Sequence, residues 1–197
     1  PNSAAFNMPG AFKVKGNLNV VALEAVMKNI ICRHETLRMH LEVDTIGDAF
    51  MVVDEFNNSD QWVLPIVDLR HLSPNDLQKK IALQLRANET TPFNLHKGPL
   101  FRLQVLVLPK EDGLEQHIII FCMHHIVSDG RSVEVLTQEI TEGYLAITAT
   151  GSMNLPDLMV QYSDYALWQQ TQFNSQLIDT QVTYWTNTLK GCESLLR

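Results

Sequence analysis

Cysteine is scarce in this chain. Cys32, Cys122 and Cys192 are the only three in 197 residues, an odd number with no CxxC pair, so neither a disulfide framework nor a zinc cluster is expected. Two of them lie inside apolar stretches, where a reduced thiol packs like a small hydrophobe. Long apolar runs are missing as well. The longest, Ile118 to Met123, falls far short of the roughly 20 residues that a membrane-crossing helix needs, so no membrane partner is expected. Basic charge is in the minority, with 15 Lys+Arg against 22 Asp+Glu and a net charge of −7. A cationic face able to neutralise a nucleic-acid backbone is therefore not available. No cationic stretch leads into an apolar core with a small-residue cleavage site near the start, which makes the cytoplasm the default location. The first residue is Pro1 and not Met, which points to a cut or processed piece of a longer polypeptide.

No repeat, low-complexity tract or linker-like stretch divides the sequence, so one compact unit is expected. Residues 11 to 16 read as a strand, and Leu18 to Arg33 as an amphipathic helix with Leu23, Val26, Met27, Ile30 and Ile31 on one face. Met39, Leu41 and Val43 alternate with polar residues, and Phe50 to Val53 is apolar after Gly47-Asp48, a hairpin pattern. Ser73-Pro74-Asn75-Asp76 opens a helix that should run to about Asn88: Ser73 can cap it, Pro74 suits its first turn, and Asp76 opposes its positive end. Leu100 to Leu108 and Glu115 to Met123 form a second hairpin, and Ile118 to Met123, apolar on both faces, should be an interior strand. Val133, Leu136, Ile140, Tyr144 and Ile147 mark a further helix. Residues 149 to 160 read as a loop, and Gln161–Gln172 and Ser175–Leu189 as helices that form parts of one bent rod. Strands mixed with helices make the class α/β or α+β.

The informative cluster is His124-His125 with Asp129-Gly130, placed where a buried strand turns into a helix. The residues alone leave two readings open. In one, a histidine, whose ordinary pKa is nearest neutrality, is a proton acceptor in a cleft. In the other, the commoner outcome for such residues, His125 is a hydrogen-bonded interior imidazole and Asp129 caps the following helix. A metal site is disfavoured because adjacent histidines on an extended chain point to opposite sides and no HExxH spacing is present. His34-Glu35 with His40 has the wrong interval. No GxSxG elbow, GxxxxGK[ST] loop or GxGxxG turn occurs, so serine hydrolysis, nucleotide hydrolysis and dinucleotide binding lack support.

The segment His124-His125-Ile126-Val127-Ser128-Asp129-Gly130 resembles the HHxxxDG signature of the chloramphenicol acetyltransferase-like superfamily, and in particular of nonribosomal peptide synthetase condensation domains. Three further segments follow that family in order: Arg33 to Arg38 is similar to RHExLR, Pro92 to Arg102 to PFDLxxGPLxR, and Tyr162 to Gln169 to YxDYAxWQ. Met39 and Leu41 stand where Thr and Phe are common, and Arg131 where an aromatic often follows the glycine. The resemblance implies a chloramphenicol acetyltransferase-like lobe, with a mixed, mostly antiparallel sheet and flanking helices. It spans residues 1–197 as the N-terminal lobe, without the family's opening segment or its C-terminal lobe.

By the same resemblance, the intact domain is an acyltransferase that joins a donor acyl or peptidyl thioester to the amine of an acceptor aminoacyl thioester. His125 is then the catalytic residue, acting as base or by stabilising the tetrahedral intermediate, with His124 supporting it. Asp129 would pair with Arg33 to hold the loop, and Gly130 would bring its backbone close to the thioester, where a Cβ would intrude. Tyr162, Asp164, Tyr165 and Trp168 would be packing residues. No cofactor is bound directly: the substrates ride on phosphopantetheine arms of upstream and downstream peptidyl carrier proteins. The missing C-terminal lobe and an adjacent adenylation domain complete the implied partners, and this lobe by itself is expected to be inactive. Two alternatives remain open, a free-standing acyltransferase using an acyl-CoA or acyl-carrier donor, and a non-catalytic interaction lobe.

Overall fold

The computed structural model describes residues 3–56, 62–172 and 175–192. In chain order the elements are β1 (Asn7–Lys15), α1 (Val20–Arg33), a 3₁₀ turn (Glu35–Arg38), β2 (Met39–Val43), β3 (Ala49–Val53), β4 (Ile66–Asp68), α2 (Pro74–Thr90), β5 (Phe101–Glu111), β6 (Leu114–His124), α3 (Gly130–Thr150), α4 (Tyr162–Gln172) and α5 (Ser175–Thr188). They fall into two compact units, Pro1–Asp157 and Leu158–Arg197, where the even spread of turn residues predicts one. Among the described residues no helix is long and apolar enough to cross a membrane.

Apolar side chains on both faces of Ile118 to Met123 require cover on both sides. Strand β6 accordingly sits inside a four-stranded sheet of order β1-β6-β5-β4, antiparallel except where β4 runs parallel to β5. The period-two alternation of strands then sorts the core. Phe101, Leu103 and Val105 of β5 and Met123 of β6 pack with Leu23, Val26, Met27, Ile30 and Ile31 of α1. Leu106 and Leu108 of β5 and Ile120 of β6 turn to the other face, against Leu77 and Ile81 of α2. Helix α3 joins the first layer through Val133, Leu136, Ile140, Tyr144 and Ile147. At Gly143 an added Cβ would stand 2.6 Å from Met153 Sδ and 3.2 Å from Val26 Cγ1, so a larger residue there would have to displace the end of the Met153 side chain. Strands β2 and β3 form a separate two-stranded sheet, the hairpin that the alternation at Met39 to Val43 predicts.

Several boundaries depart from the sequence reading for identifiable reasons. Strand β1 starts at Asn7 and not at residue 11, because pairing with β6 runs from Asn7↔His124 to Lys15↔Gln116 and overrides the poor strand propensity of Pro9 and Gly10. Opposite Gly10 the ring of Phe121 occupies the space a Cβ would need, and it stacks on Phe12 at 5.5 Å. Strand β4 was not legible, since three residues after Pro65 carry no periodicity and are ordered by the β5 edge. The irregularity between Leu108 and Glu111 falls at Pro109, which cannot donate to a ladder. Of the cysteines, Cys122 is buried and Cys32 is exposed, so the latter does not pack as expected. In the second unit, Tyr162 and Tyr165 lie 5.9 Å apart and Tyr165 and Trp168 5.7 Å apart along α4. All three remain exposed, which corrects the expectation of core packing. The junction of the expected bent rod, residues 173–174, lies outside the described residues.

One acidic residue ties α1 to α3. Glu139 Oε1 lies 3.1 Å from Arg33 Nε and its Oε2 2.6 Å from His34 Nε2, with all three side chains 13 to 17% exposed. Removing one partner from a largely buried pair leaves the other charge uncompensated. We expect Glu139→Gln to lower the unfolding free energy by about 3 kcal/mol in urea titration. Glu111→Gln, which removes only exposed ion pairs with Lys13 and Lys15, should change it far less.

Candidate functional site

The end of β6 is held from both sides. His124 N–H donates to Leu100 O at 2.9 Å, and His125 N–H to Phe6 O at 2.9 Å, so the chain enters the turn from a fixed point. Alternation along the strand then separates the two rings. His124 turns inward and is buried, its ring 6.0 Å from that of Phe6 and 6.1 Å from that of Phe93, the latter edge-on. His125 turns outward and is exposed. The interior role that the residues alone suggest for a histidine here therefore belongs to His124, and His125 is the ring with access to solvent.

Backbone groups define the chemistry of His124. Its Nδ1 lies 3.1 Å from Ile126 N–H; the amide can only donate, so Nδ1 accepts and the ring proton sits on Nε2. Burial, and secondarily the neighbouring His125, push its pKa below the ordinary value, because a charged ring would lose solvation. The turn closes through Val127 N–H and the Ser128 hydroxyl, both donating to His124 O, at 3.0 and 3.1 Å. Asp129 then caps α3: its Oδ1 accepts from Ser132 N–H and from the Ser132 hydroxyl, each at 2.7 Å, while Ser132 Oγ accepts from Asp129 N–H at 3.2 Å. These bonds from the Ser132 hydroxyl and then its amide hold the Asp129 carboxyl below its ordinary pKa.

One expectation for this loop is corrected. Asp129 does not pair with Arg33: its carboxylate is engaged by Ser132 three residues on, and Arg33 reaches Glu139 instead. The cap geometry turns Asp129 toward its own helix, leaving Arg33 to the acid on the facing helix. At Gly130 an added Cβ would meet no protein atom within 4 Å, so the packing of the chain itself leaves that side of the turn open to a bound group.

Beside the turn lies a cavity of about 760 Å³ whose wall includes His124, His125 and Ile126. Ser3, Phe6, Phe93, Leu95 and His96 complete its apolar and polar sides. Phe93 is held by Arg102, whose guanidinium carbon stands 4.1 Å from the ring centroid and whose Nη2 donates to Asn88 O at 2.7 Å and Thr91 O at 2.5 Å. The Asn7 amide donates to Glu89 O and Thr91 O at 2.7 and 2.9 Å. A cation and an amide thus satisfy carbonyls at the end of α2, where the helix dipole favours positive charge. The segment Pro92 to Arg102 therefore serves the site by building one wall. Phe6 and His96 are wall residues that sequence reasoning missed; for His96 the signal was its place in that segment, and for Phe6 there was none.

Comparison with known proteins places this geometry. The family profile described as Condensation domain matches residues 1–197. Bacitracin synthase 3 from Bacillus licheniformis is 35% identical over 187 residues, which is 95% of this chain but 3% of that protein. The starter condensation domain of rhizomide synthetase RzmA superposes with a TM-score of 0.78 at 21% identity, covering 98% of this chain and 44% of that one. The X-domain in its complex with OxyB from teicoplanin biosynthesis gives 0.79 at 24% identity, covering 98% and 40%. The chain is thus a small fraction of its curated relative and under half of each solved neighbour.

Two outcomes test the site's electrostatics. Asp129→Ala should lower the urea midpoint while Asp129→Asn, which keeps a capping oxygen, stays near the parent chain; an ion pair with Arg33 would make both equally harmful. His124 has the opposite pH logic to His40, whose pKa is raised by its hydrogen bonds to Glu42 and then Asp54. Because folding depresses the His124 value, its ring leaves stability unaffected above the ordinary 6.5 and reduces it as pH falls below that. His40 stabilises below its ordinary value, and that contribution disappears as pH rises through the raised one. Urea midpoints between pH 5.5 and 7.5 should therefore show a shallower acid-side fall in His124→Asn and a steeper one in His40→Asn.

Proposed function

The chain belongs to the condensation-domain family, and from that premise we propose that it supplies the histidine-bearing wall of an amide-forming site, as the N-terminal lobe of such a domain. The observation that carries this reading is the His125 ring, exposed on the wall of a 760 Å³ cavity while its backbone is pinned to Phe6 O. In the proposed reaction the amine of an acceptor aminoacyl thioester attacks the carbonyl of a donor thioester. A C–N bond forms, the C–S bond breaks, the thiol leaves on its own arm, and the proton lost by the attacking nitrogen passes to His125 and on to the thiolate. Both thioesters would ride on phosphopantetheine arms of upstream and downstream peptidyl carrier proteins, and the chain would hold no cofactor itself. Within a synthetase, a second lobe and an adenylation domain would be its neighbours.

Magnitudes assign the labour. A positioned base contributes roughly 10²- to 10⁴-fold, whereas holding two tethered reactants in line contributes about 7 to 11 kcal/mol. Positioning outweighs proton transfer, so loss of the ring is expected to slow the reaction without abolishing it. Asp129, Ser132 and Ser128 would act on His125 only by fixing the turn, and Arg33 only through the α1–α3 contact. A second reading, a lobe that binds a partner and does no chemistry, draws on the likeness to the X-domain, whose structure is a complex with OxyB.

The test uses the intact condensation domain with both carriers loaded. His125→Ala should cut amide formation about 10²-fold or more while leaving the unfolding midpoint unchanged, since the side chain is exposed. Unchanged product formation would overturn the catalytic reading and favour the binding lobe. The 197-residue chain by itself should show no turnover with the same substrates.

A further inference from the structure

Three imidazoles line the His125 cavity, and the backbone decides where two of them carry their proton. His124 accepts at Nδ1 from Ile126 N–H, so its Nε2 is a donor. His96 is set the other way: its Nδ1 lies 2.9 Å from Leu41 O, a carbonyl that can only accept, so Nδ1 holds the proton and, in the neutral ring, Nε2 keeps a lone pair. The His96 ring is no wandering surface side chain. Leu41 N–H donates to Leu95 O at 2.7 Å, Lys97 N–H to Asn94 O at 3.0 Å, and His96 N–H to Asn94 Oδ1 at 3.1 Å, which stitches the turn carrying His96 to strand β2.

The cavity wall therefore offers one fixed donor and one fixed acceptor among the apolar side chains of Phe6, Phe93, Leu95 and Ile126, with His125 and the Ser3 hydroxyl as the other polar side chains. An ammonium group needs acceptors only, and a carboxylate or phosphate needs donors only. A secondary amide, with one N–H and one carbonyl, needs one of each. We propose that His96 and His124 form an amide-reading subsite, His96 Nε2 accepting the N–H and His124 Nε2–H donating to the carbonyl of a secondary amide in the bound thioester. The proposal rests on the amide-forming reading above, and it leaves His125 for the attacking amine and the departing thiol. The amide has two sources, the pantetheine arm or a peptide bond of a peptidyl donor.

Ring ¹⁵N NMR of this chain tests the idea without turnover. His96 is expected as the Nδ1–H tautomer and His124 as the Nε2–H tautomer; either one reversed overturns the proposal. Pantetheine, acetylglycine N-methylamide and ethyl thioacetate, the last a thioester without an amide, are then titrated separately. A response of both Nε2 resonances to pantetheine or to the peptide probe, and not to ethyl thioacetate, supports the subsite and identifies its source. Equal response to ethyl thioacetate, or no response of His96 to any probe, overturns it. His96→Ala should weaken binding of the responding probe about tenfold, and His96→Gln, which restores an acceptor, should recover part of that. If the amide probes shift both rings while His125→Ala leaves amide formation intact, the subsite stands and the amide-forming reading falls.

Discussion

The double-edged pairing of β6 is the constraint on which the rest of the site depends. Bonded to β1 on one side and β5 on the other, the strand has no freedom to slip, because a shift of one residue would send every apolar side chain to the wrong face. Its last ladder bonds, to Leu100 O and Phe6 O, place the two histidines at the point where pairing stops. The alternation that buries Ile120 and Cys122 on one face of β6 and Met123 on the other also buries His124 and exposes His125. A reactive ring is presented to a cavity as a by-product of packing the strand behind it.

Charge in this molecule is organised locally and in layers. The loop after His125 is held by neutral and charge-assisted bonds within a few residues, from His124 O to Ser128 and from Asp129 to Ser132. The largely buried ion pairs that join α1 to α3 are separate from it, with Glu139 spanning Arg33 and His34. Such a division suits a site that must hold its shape: short-range caps depend little on salt or on the placement of other elements, whereas the buried fork orients two helices. The Phe93 wall follows the same logic, since Arg102 both lies against that ring and terminates α2, so one side chain links a helix end to the cavity.

Much of the architecture was legible because local signals agreed with tertiary ones. Ser73 and Asp129 act as caps, β2 and β3 pair as the expected hairpin, and the fully apolar run of β6 is interior. What was not legible lacked a local signature. The strand character of Asn7 to Gly10 comes from a partner more than a hundred residues on, β4 is too short for a period to register, and the exposed aromatics of α4 carry the same spacing as a buried face would.

The amino-acid sequence by itself determined the order and type of most elements, the strand-to-helix position of His124-His125 and membership of the condensation-domain family, because caps, periodicity and motif spacing are properties of neighbours along the chain. Only the tertiary structure decided that Arg33 pairs with Glu139 and not with Asp129, that His125 and not His124 meets solvent, and that His96 shares their cavity. Those outcomes depend on which carboxylate, carbonyl or ring arrives within about 3 Å when helices and strands pack, and no spacing along a single chain encodes that distance.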